Sequence, residues 1–356
     1  MTDHDTGSPY DAVLIVAFGG PEGRDDVLPF LENVLRGRDV PPARMLQVAE
    51  HYYQLGGVSP LNRQIRDLKA ALQTELAVHG LSLPIYWGNR NWHPFLADTL
   101  RQMGADGVRR ALAFFTSAYS SYSSCRQYRE DIARAQEEVG PSAPAVDKLR
   151  AYYNHPGFIE PNVENLRAAL GSIPAERRAA ARLVFTAHSL PVSMARSSAY
   201  ERQLREACRL VAEEVGYPAW DLVYQSRSGP PHVPWLEPDI CDHLRALKEA
   251  GAQDVVVLPI GFISDHMEVI YDLDTEAQQV AQRLGLNMVR AGTVGTHPRF
   301  VAMIRELIEE RLSGSAERRY LGAHGPSHDI CPPNCCPPPA RHRPHRGQLQ
   351  AAEPTT

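Results

Sequence analysis

The sequence predicts an α/β protein made of two similar halves, each with a parallel sheet covered by helices, and a cleft between them. Three observations carry that expectation. Short apolar, β-branched runs alternate with amphipathic helical stretches along most of the chain, the pattern of parallel strands joined by helical crossovers. The alternation restarts after about residue 155, as if one scheme were written twice. One stretch, Asp254–Glu276, runs from a buried strand into a helix carrying Glu268, Asp272 and Glu276, at the strand end where α/β folds place their ligands.

Taken in order, Ala12–Phe18 (AVLIVAF) reads as a buried strand closed by Gly19, Gly20 and Pro21. Helices follow near Asp25–Leu35 and at Leu61–Val78, and the segment between them is left unassigned. Pro84–Gly88 is a strand, Phe95–Met103 a helix and Arg110–Thr116 a strand. Tyr122–Glu138 is helical and Ala145–Arg150 a short strand. The restart gives helix Gly157–Leu170, strand Ala181–Ala187, helix Tyr200–Val215 and strand Leu222–Gln225. Helix Asp239–Ala250, strand Val255–Ile260, helix Glu268–Leu284, strand Met288–Ala291 and the periodic helix Pro298–Leu312 complete it. Residues 10–155 are thus the first half and 156–315 the second, whose last helix can pack back on the first. Residues 316–356 form a Cys- and Pro-rich tail, expected to be largely disordered after 336.

Composition sets the class. With 43% hydrophobic and 22% charged residues the chain is an ordinary globular one. A net charge of −5 gives no general attraction to nucleic acid. The polar start MTDHDTGSPYDA is not a targeting peptide, and no run approaches the roughly 18 apolar residues of a membrane span. The expected compartment is the cytoplasm, with no stable membrane insertion.

Candidate chemistry sits at the strand ends. Glu268, Asp272 and Glu276 recur every four residues and share one helix face, a spacing at which like charges repel and stabilise nothing. A solvated acidic face is the ordinary explanation, but this ladder starts at a buried strand's carboxyl end. His188 directly follows the strand Ala181–Ala187. If it meets Glu268, an imidazole and a carboxylate can bind a borderline cation such as Fe²⁺ or move protons near neutral pH. Ser59 before Pro60 reads as an N-cap with proline at the first helical position, and that helix start also offers free N–H groups to an anion. His51 and Tyr52 precede this loop. Ser117–Tyr128 is rich in hydroxyls, and its tyrosines, including Tyr128, suit a flat aromatic ligand. Cys331, Cys335 and Cys336 cluster in the tail, whereas Cys125, Cys208 and Cys241 are isolated. Zinc with His328 as fourth ligand, an iron–sulfur cluster with one cysteine from the body, and an unligated tail all fit this spacing.

The segments FGGPEG (Phe18–Gly23), GGVSPL (Gly56–Leu61), AHSLP (Ala187–Pro191), YQSRSGPPHVPWLEP (Tyr224–Pro238) and GFISDHMEVIYDLD (Gly261–Asp274) carry a resemblance. The chain resembles the ferrochelatases, most closely the coproporphyrin III ferrochelatases of the Gram-positive branch of haem synthesis. The resemblance implies two Rossmann-like halves around a porphyrin cleft. It implies His188 and Glu268 as the metal-inserting pair, Asp272 and Glu276 as an acidic track, and Ser59, Tyr128, His51 and Tyr52 as porphyrin contacts. It also implies a [2Fe–2S] cluster on Cys331, Cys335, Cys336 and an internal cysteine, for which Cys125 lies in the right segment, and a hand-over to the next enzyme of haem synthesis. Phe18 departs from the tyrosine iron ligand of cluster-free members, and Asn91 replaces a peripheral metal-binding histidine. Arg36, Arg38 and Arg44, where a membrane-facing enzyme would carry an apolar lip, favour the four-propionate substrate. The alternatives are a protoporphyrin IX ferrochelatase, a cobalt-inserting chelatase and a non-catalytic haem-binding protein.

Overall fold

The computed structural model describes residues 8–37, 40–229 and 232–338. Arg38 and the residues after 338, where disorder is expected, lie outside the described residues. Around the first sheet the chain runs β1 (Ala12–Ala17), α1 (Val27–Leu35), α2 (Pro42–Gln54), α3 (Leu61–Val78), β2 (Ile85–Asn89), α4 (Leu96–Ala105), β3 (Arg110–Phe115), α5 (Gln127–Val139) and β4 (Ala145–Lys148). It continues with α6 (Pro156–Gly171), α7 (Ala175–Arg178), β5 (Arg182–His188), α8 (Val192–Arg196), α9 (Tyr200–Val215) and β6 (Trp220–Gln225). Then come α10 (Ile240–Glu249), β7 (Asp254–Leu258), α11 (Met267–Val269), α12 (Gln278–Leu284), β8 (Asn287–Arg290) and α13 (Pro298–Ser313).

The sheets have the orders β2-β1-β3-β4 and β6-β5-β7-β8, with every neighbouring pair parallel. They are one order written twice, as the restart in the sequence predicts. β1 is buried along its whole length because it is central, with Val13 opposite both Ile85 and Leu112. An unbroken apolar, β-branched run suits a strand covered on both faces. In each sheet the chain reverses its direction of growth beside the first strand, between β1 and β3 and between β5 and β7. Crevices for ligands open at such points, beyond the carboxyl ends of the strands. α13 packs on α6 and also on α3, where Arg305 Nε meets Glu75 Oε1 at 2.8 Å.

Two regions differ from the sequence reading. Pro42–Gln54, left unassigned, is the helix α2, opened by a proline at its first position, where the missing N–H costs nothing. Its pattern is weak because only Ala49 is buried. Glu268–Leu284 is not one α-helix. A single α turn at Met267–Val269 passes into a π-helical segment, Ile270–Ala277, and only then into α12. A second π segment, Tyr122–Arg126, opens α5.

Small residues at the strand ends let the cleft loops touch. Gly19 has φ +85°, a left-handed conformation open to glycine. At Gly20 an added Cβ would stand 2.6 Å from Ser59 Cβ. Ser59 N–H donates to the Pro21 carbonyl at 2.8 Å, so the FGGP and GGVSP loops form one wall. Gly261 lies against β5, where an added Cβ would stand 2.6 Å from Ala187 Cα. Gly20→Ala is therefore expected to lower unfolding stability by about 1–3 kcal/mol through overpacking. Adding Ser59→Gly should restore part of the loss, so that the two changes are non-additive in denaturant titrations. Strict additivity would contradict the contact.

Candidate functional site

β5 ends in His188, directly opposite Gln225 at the end of β6. Nδ1 of His188 donates to the Ser189 carbonyl at 2.5 Å, which fixes the ring and leaves Nε2 as the free nitrogen of the neutral imidazole. That Nε2 lies 3.4 Å from Glu268 Oε1. The two side chains keep 29% and 44% of their accessibility, so the pair is open to solvent although protein surrounds it on its other sides. His266 caps the turn that carries Glu268, its Nδ1 accepting the Glu268 N–H at 3.2 Å, and stands 3.9 Å from Glu268 Oε2.

The rest of the ladder follows from Ile270–Ala277. A four-residue step overshoots an α turn by about 40°. The wider π turn takes some of that overshoot back, which keeps the carboxylates aligned, and such segments recur at functional sites. Gln225 Nε2 donates to the Glu268 carbonyl at 2.7 Å and reaches Asp272 Oδ2 at 3.4 Å. Ser226, held at φ +62°, donates its hydroxyl to the same Asp272 oxygen. The sequence reading assigned no role to Gln225, Ser226 or His266. A polar residue ending the otherwise apolar strand LVYQ was the available signal for Gln225. Nothing local marks Gln64 of α3, whose side chain donates to the Asp265 carbonyl and accepts its N–H, both at 2.9 Å, bridging the two sheets' loops.

Electrostatics splits the acidic groups. Burial opposes protonation of His188, but the Glu268 carboxylate and the Ser189 carbonyl outweigh it and raise its pKa above the usual 6.5. Burial opposes ionisation of Glu268, yet His188 and His266 hold its pKa down to about 2. Asp272, desolvated and repelled by Glu268 and Glu276, is pushed up to about 7 despite the Ser226 hydrogen bond. Glu276 is raised, first by burial and then by Asp239. One end of the ladder is thus anionic and the next group is poised to exchange a proton near neutral pH, an environment-driven division of roles.

The other expected contacts lie around this track. His51 on α2 stacks on Tyr271 with centroids 3.8 Å apart and planes 9° from parallel. Tyr52 packs edge-on against Phe30, and burial, then Glu268 and Asp272, raise its pKa. Ser59 is buried, and Pro60 rather than Ser59 takes the N-cap position of α3. The Ser59 hydroxyl accepts only a long 3.4 Å bond from Leu61 N. A proline directly after the serine moves the helix start one residue on. Tyr128 is also buried, its ring 5.2 Å from Phe115 and under the Arg90 guanidinium, which also lies 5.8 Å from Phe18. Phe18 is 36% exposed and Asn91 is buried.

A second cluster forms where the tail meets the body. Residues 316–338 contain no helix or strand, and side chains of the body hold them. Arg150 donates to the Arg319 carbonyl at 2.9 Å, and Asn154 to those of Leu321 and Gly325. Arg126 reaches the carbonyls of Pro333 and Cys335. All six cysteines are free thiols. Cys125, in the π segment that opens α5, is hydrogen-bonded to Cys331. Cys335 and Cys336 Sγ are 3.7 Å apart, and the donor atoms of His328, Cys331 and Cys335 lie within 4.8 Å of one another. Sulfurs bound at about 2.3 Å to one tetrahedral metal stand about 3.8 Å apart, so this donor set fits a thiolate-ligated metal group. Cys208 is buried in the core and Cys241 packs near α12 and β7, both away from the cluster.

The doubly written parallel fold with a histidine–carboxylate pair at its switch point is a chelatase-type architecture. SirB of Bacillus subtilis, solved with Fe³⁺, superposes with a TM-score of 0.53 at 11% identity, covering 85% of this chain and 96% of its own. That likeness concerns the fold alone. The sequence model of the family Ferrochelatase matches residues 10–312, and the chain belongs to the ferrochelatase family. It is 57% identical to the ferrochelatase of Rhodopirellula baltica, over 94% of this chain and 97% of the relative. It is 52% identical to the coproporphyrin III ferrochelatase of Streptomyces griseus (95% and 96%), and 53% to that of Frankia alni (97% and 91%). The family match ends before Cys331, Cys335 and Cys336.

The pair's coupling has a pH signature. Stability linked to protonated His188 is complete below about pH 6.5 and lost as pH rises through its raised pKa. Stability linked to ionised Glu268 is complete above about pH 4.5 and lost as pH falls towards about 2. Both are present between these limits, so Glu268→Gln should cost most stability there. The same change should drop the His188 titration midpoint, followed by NMR of its ring protons, below the wild-type value. An unchanged midpoint would contradict the coupling.

Proposed function

We propose that this chain inserts Fe²⁺ into coproporphyrin III to give coprohaem III in haem synthesis. The observation that carries this reading is the His188–Glu268 pair, accessible from the cleft, at the head of a carboxylate track whose members differ in proton affinity. Relatives named coproporphyrin III ferrochelatase, alike over nearly their whole length, support the choice of substrate.

Metallation exchanges two pyrrole N–H protons for one Fe²⁺. Nε2 of His188 accepts a proton, and Glu268 stabilises the imidazolium that forms, as general-base catalysis requires. Glu268 and Asp272 offer hard oxygen donors that replace water around the incoming iron, and Asp272 with Glu276 carries charge and protons along the track. His51 and Tyr52 on α2 face the porphyrin across from the ladder. Ser59 and Tyr128, being buried, shape the wall behind Gly20 and Phe18. Residues 10–155 and 156–315 act as the two lobes. The enzyme works in the cytoplasm and passes its product to the next enzyme of the sequence. Among the described residues no helix is long and apolar enough to cross a membrane.

One observation favours protoporphyrin IX instead. Leu46 on α2, with Leu55 and Val58 just after it, are 56%, 38% and 46% exposed, an apolar lip beside Arg44. Detergent-free insertion assays separate the readings. Wild type should show higher kcat/KM for coproporphyrin III, and His188→Ala should lose more than tenfold in kcat while binding porphyrin within about tenfold of wild type. Equal or better use of protoporphyrin IX overturns the substrate, and retained kcat overturns the role of His188.

On the same reading Cys125, Cys331, Cys335 and Cys336 hold a [2Fe–2S] cluster. Four thiolates suffice for it, and when bound it supplies a one-electron centre and a cross-link between tail and body. The purified protein should be reddish-brown, and serine at any of the four cysteines should bleach it. A colourless wild type with stoichiometric zinc overturns this.

A further inference from the structure

The cysteine centre has five donors where a [2Fe–2S] cluster takes four. The fifth is His328, whose Nε2 lies 3.8 Å from Cys335 Sγ and which is also hydrogen-bonded to Cys331. A histidine in an irregular, largely exposed tail has no reason of its own to stay there, yet this one is braced from several directions. Lys148 Nζ, on the body, donates to the His328 carbonyl at 3.3 Å. Arg318 pairs with Asp329 and reaches the Ser327 carbonyl at 3.5 Å, holding the residues on either side of His328. Lys148 of the body and Arg318 of the tail itself fix the backbone around the ring. His328 itself is exposed, so its position does not come from core packing.

We propose that His328 is the sulfur-facing hydrogen-bond donor of this centre, its Nε2–H directed at Cys335 and Cys331, and that it sets the reduction potential of the cluster without binding iron. The inference rests on the cluster reading above. A donor to a ligating sulfur stabilises the more negative, reduced state more than the oxidised one and so raises the potential, one of the levers by which proteins tune iron–sulfur centres. The alternative chemistry, direct ligation, would make one cysteine redundant. The four cysteines would already provide the four thiolates that such a cluster takes.

The test is a spectroelectrochemical titration of the purified, cluster-loaded full chain as wild type, His328→Ala and His328→Gln. Iron content and visible spectrum are recorded for each. All three should be coloured with equal iron. At a fixed ambient potential His328→Ala should show an oxidised-to-reduced ratio about tenfold higher than wild type, a potential lower by about 59 mV for a one-electron couple. His328→Gln, whose amide can still donate, should fall between them. An alanine variant with the wild-type potential overturns the proposal. Bleaching or iron loss in His328→Ala overturns it in favour of direct ligation. A wild type without visible colour overturns the cluster reading itself, and is distinguished from the other failures because no variant is needed to see it.

Discussion

The contact on which the cleft depends is the approach of the β7 end to β5, where Gly261 leaves no room for a side chain above Ala187. A Cβ there would press on the β5 backbone, one residue before His188, which stands 3.4 Å from Glu268. The pair stands at this distance because two backbones touch, and the carboxylate keeps its charge because two imidazoles crowd it. Backbone contact thus sets the geometry, and the geometry sets proton affinity. On the opposite lobe the Gly20–Ser59 contact does the same for the facing wall.

The two sheets are one topology repeated, and each uses the third-written strand in the same way. β3 and β7 both lead, through a loop, into a π-helical segment. In one lobe that segment carries Cys125, and in the other it carries Asp272 and Glu276. A wide turn at a helix start projects side chains that an α turn would spread around its axis. The fold therefore offers one kind of wide-turn position twice, carrying a thiol on one side and carboxylates on the other. The two donor types differ in softness, thiolate being the softer and carboxylate the harder.

Much of this was legible in the sequence, for physical reasons. Buried parallel strands such as AVLIVA and DVVVL announce themselves because both faces must be apolar. The repeat of strand and helix exposed the two lobes, and the strand-end position singled out His188. α2 escaped because a helix packed by little more than Ala49 has no strong apolar stripe. The π segment Ile270–Ala277 escaped because a four-residue acidic spacing reads equally well as α, and Tyr122–Arg126 because five residues at a helix start carry no period of their own. Gln64 escaped because its partner, Asp265, is 201 residues away, and a single long-range amide contact leaves no periodic trace.

The tail is a different kind of structure from the lobes it lies on. Arg126, Lys148, Arg150 and Asn154 grip its carbonyls, while it buries few side chains beyond Cys336. Such a segment has little cohesion of its own and takes its path from a surface already folded. Small zinc domains fold because metal arrives. Here the order is reversed: the lobes must be complete before three distant thiols can gather at Cys125. Opening of the tail is then a local event that leaves both sheets intact, and a closed tail becomes a record that the body beneath it was assembled.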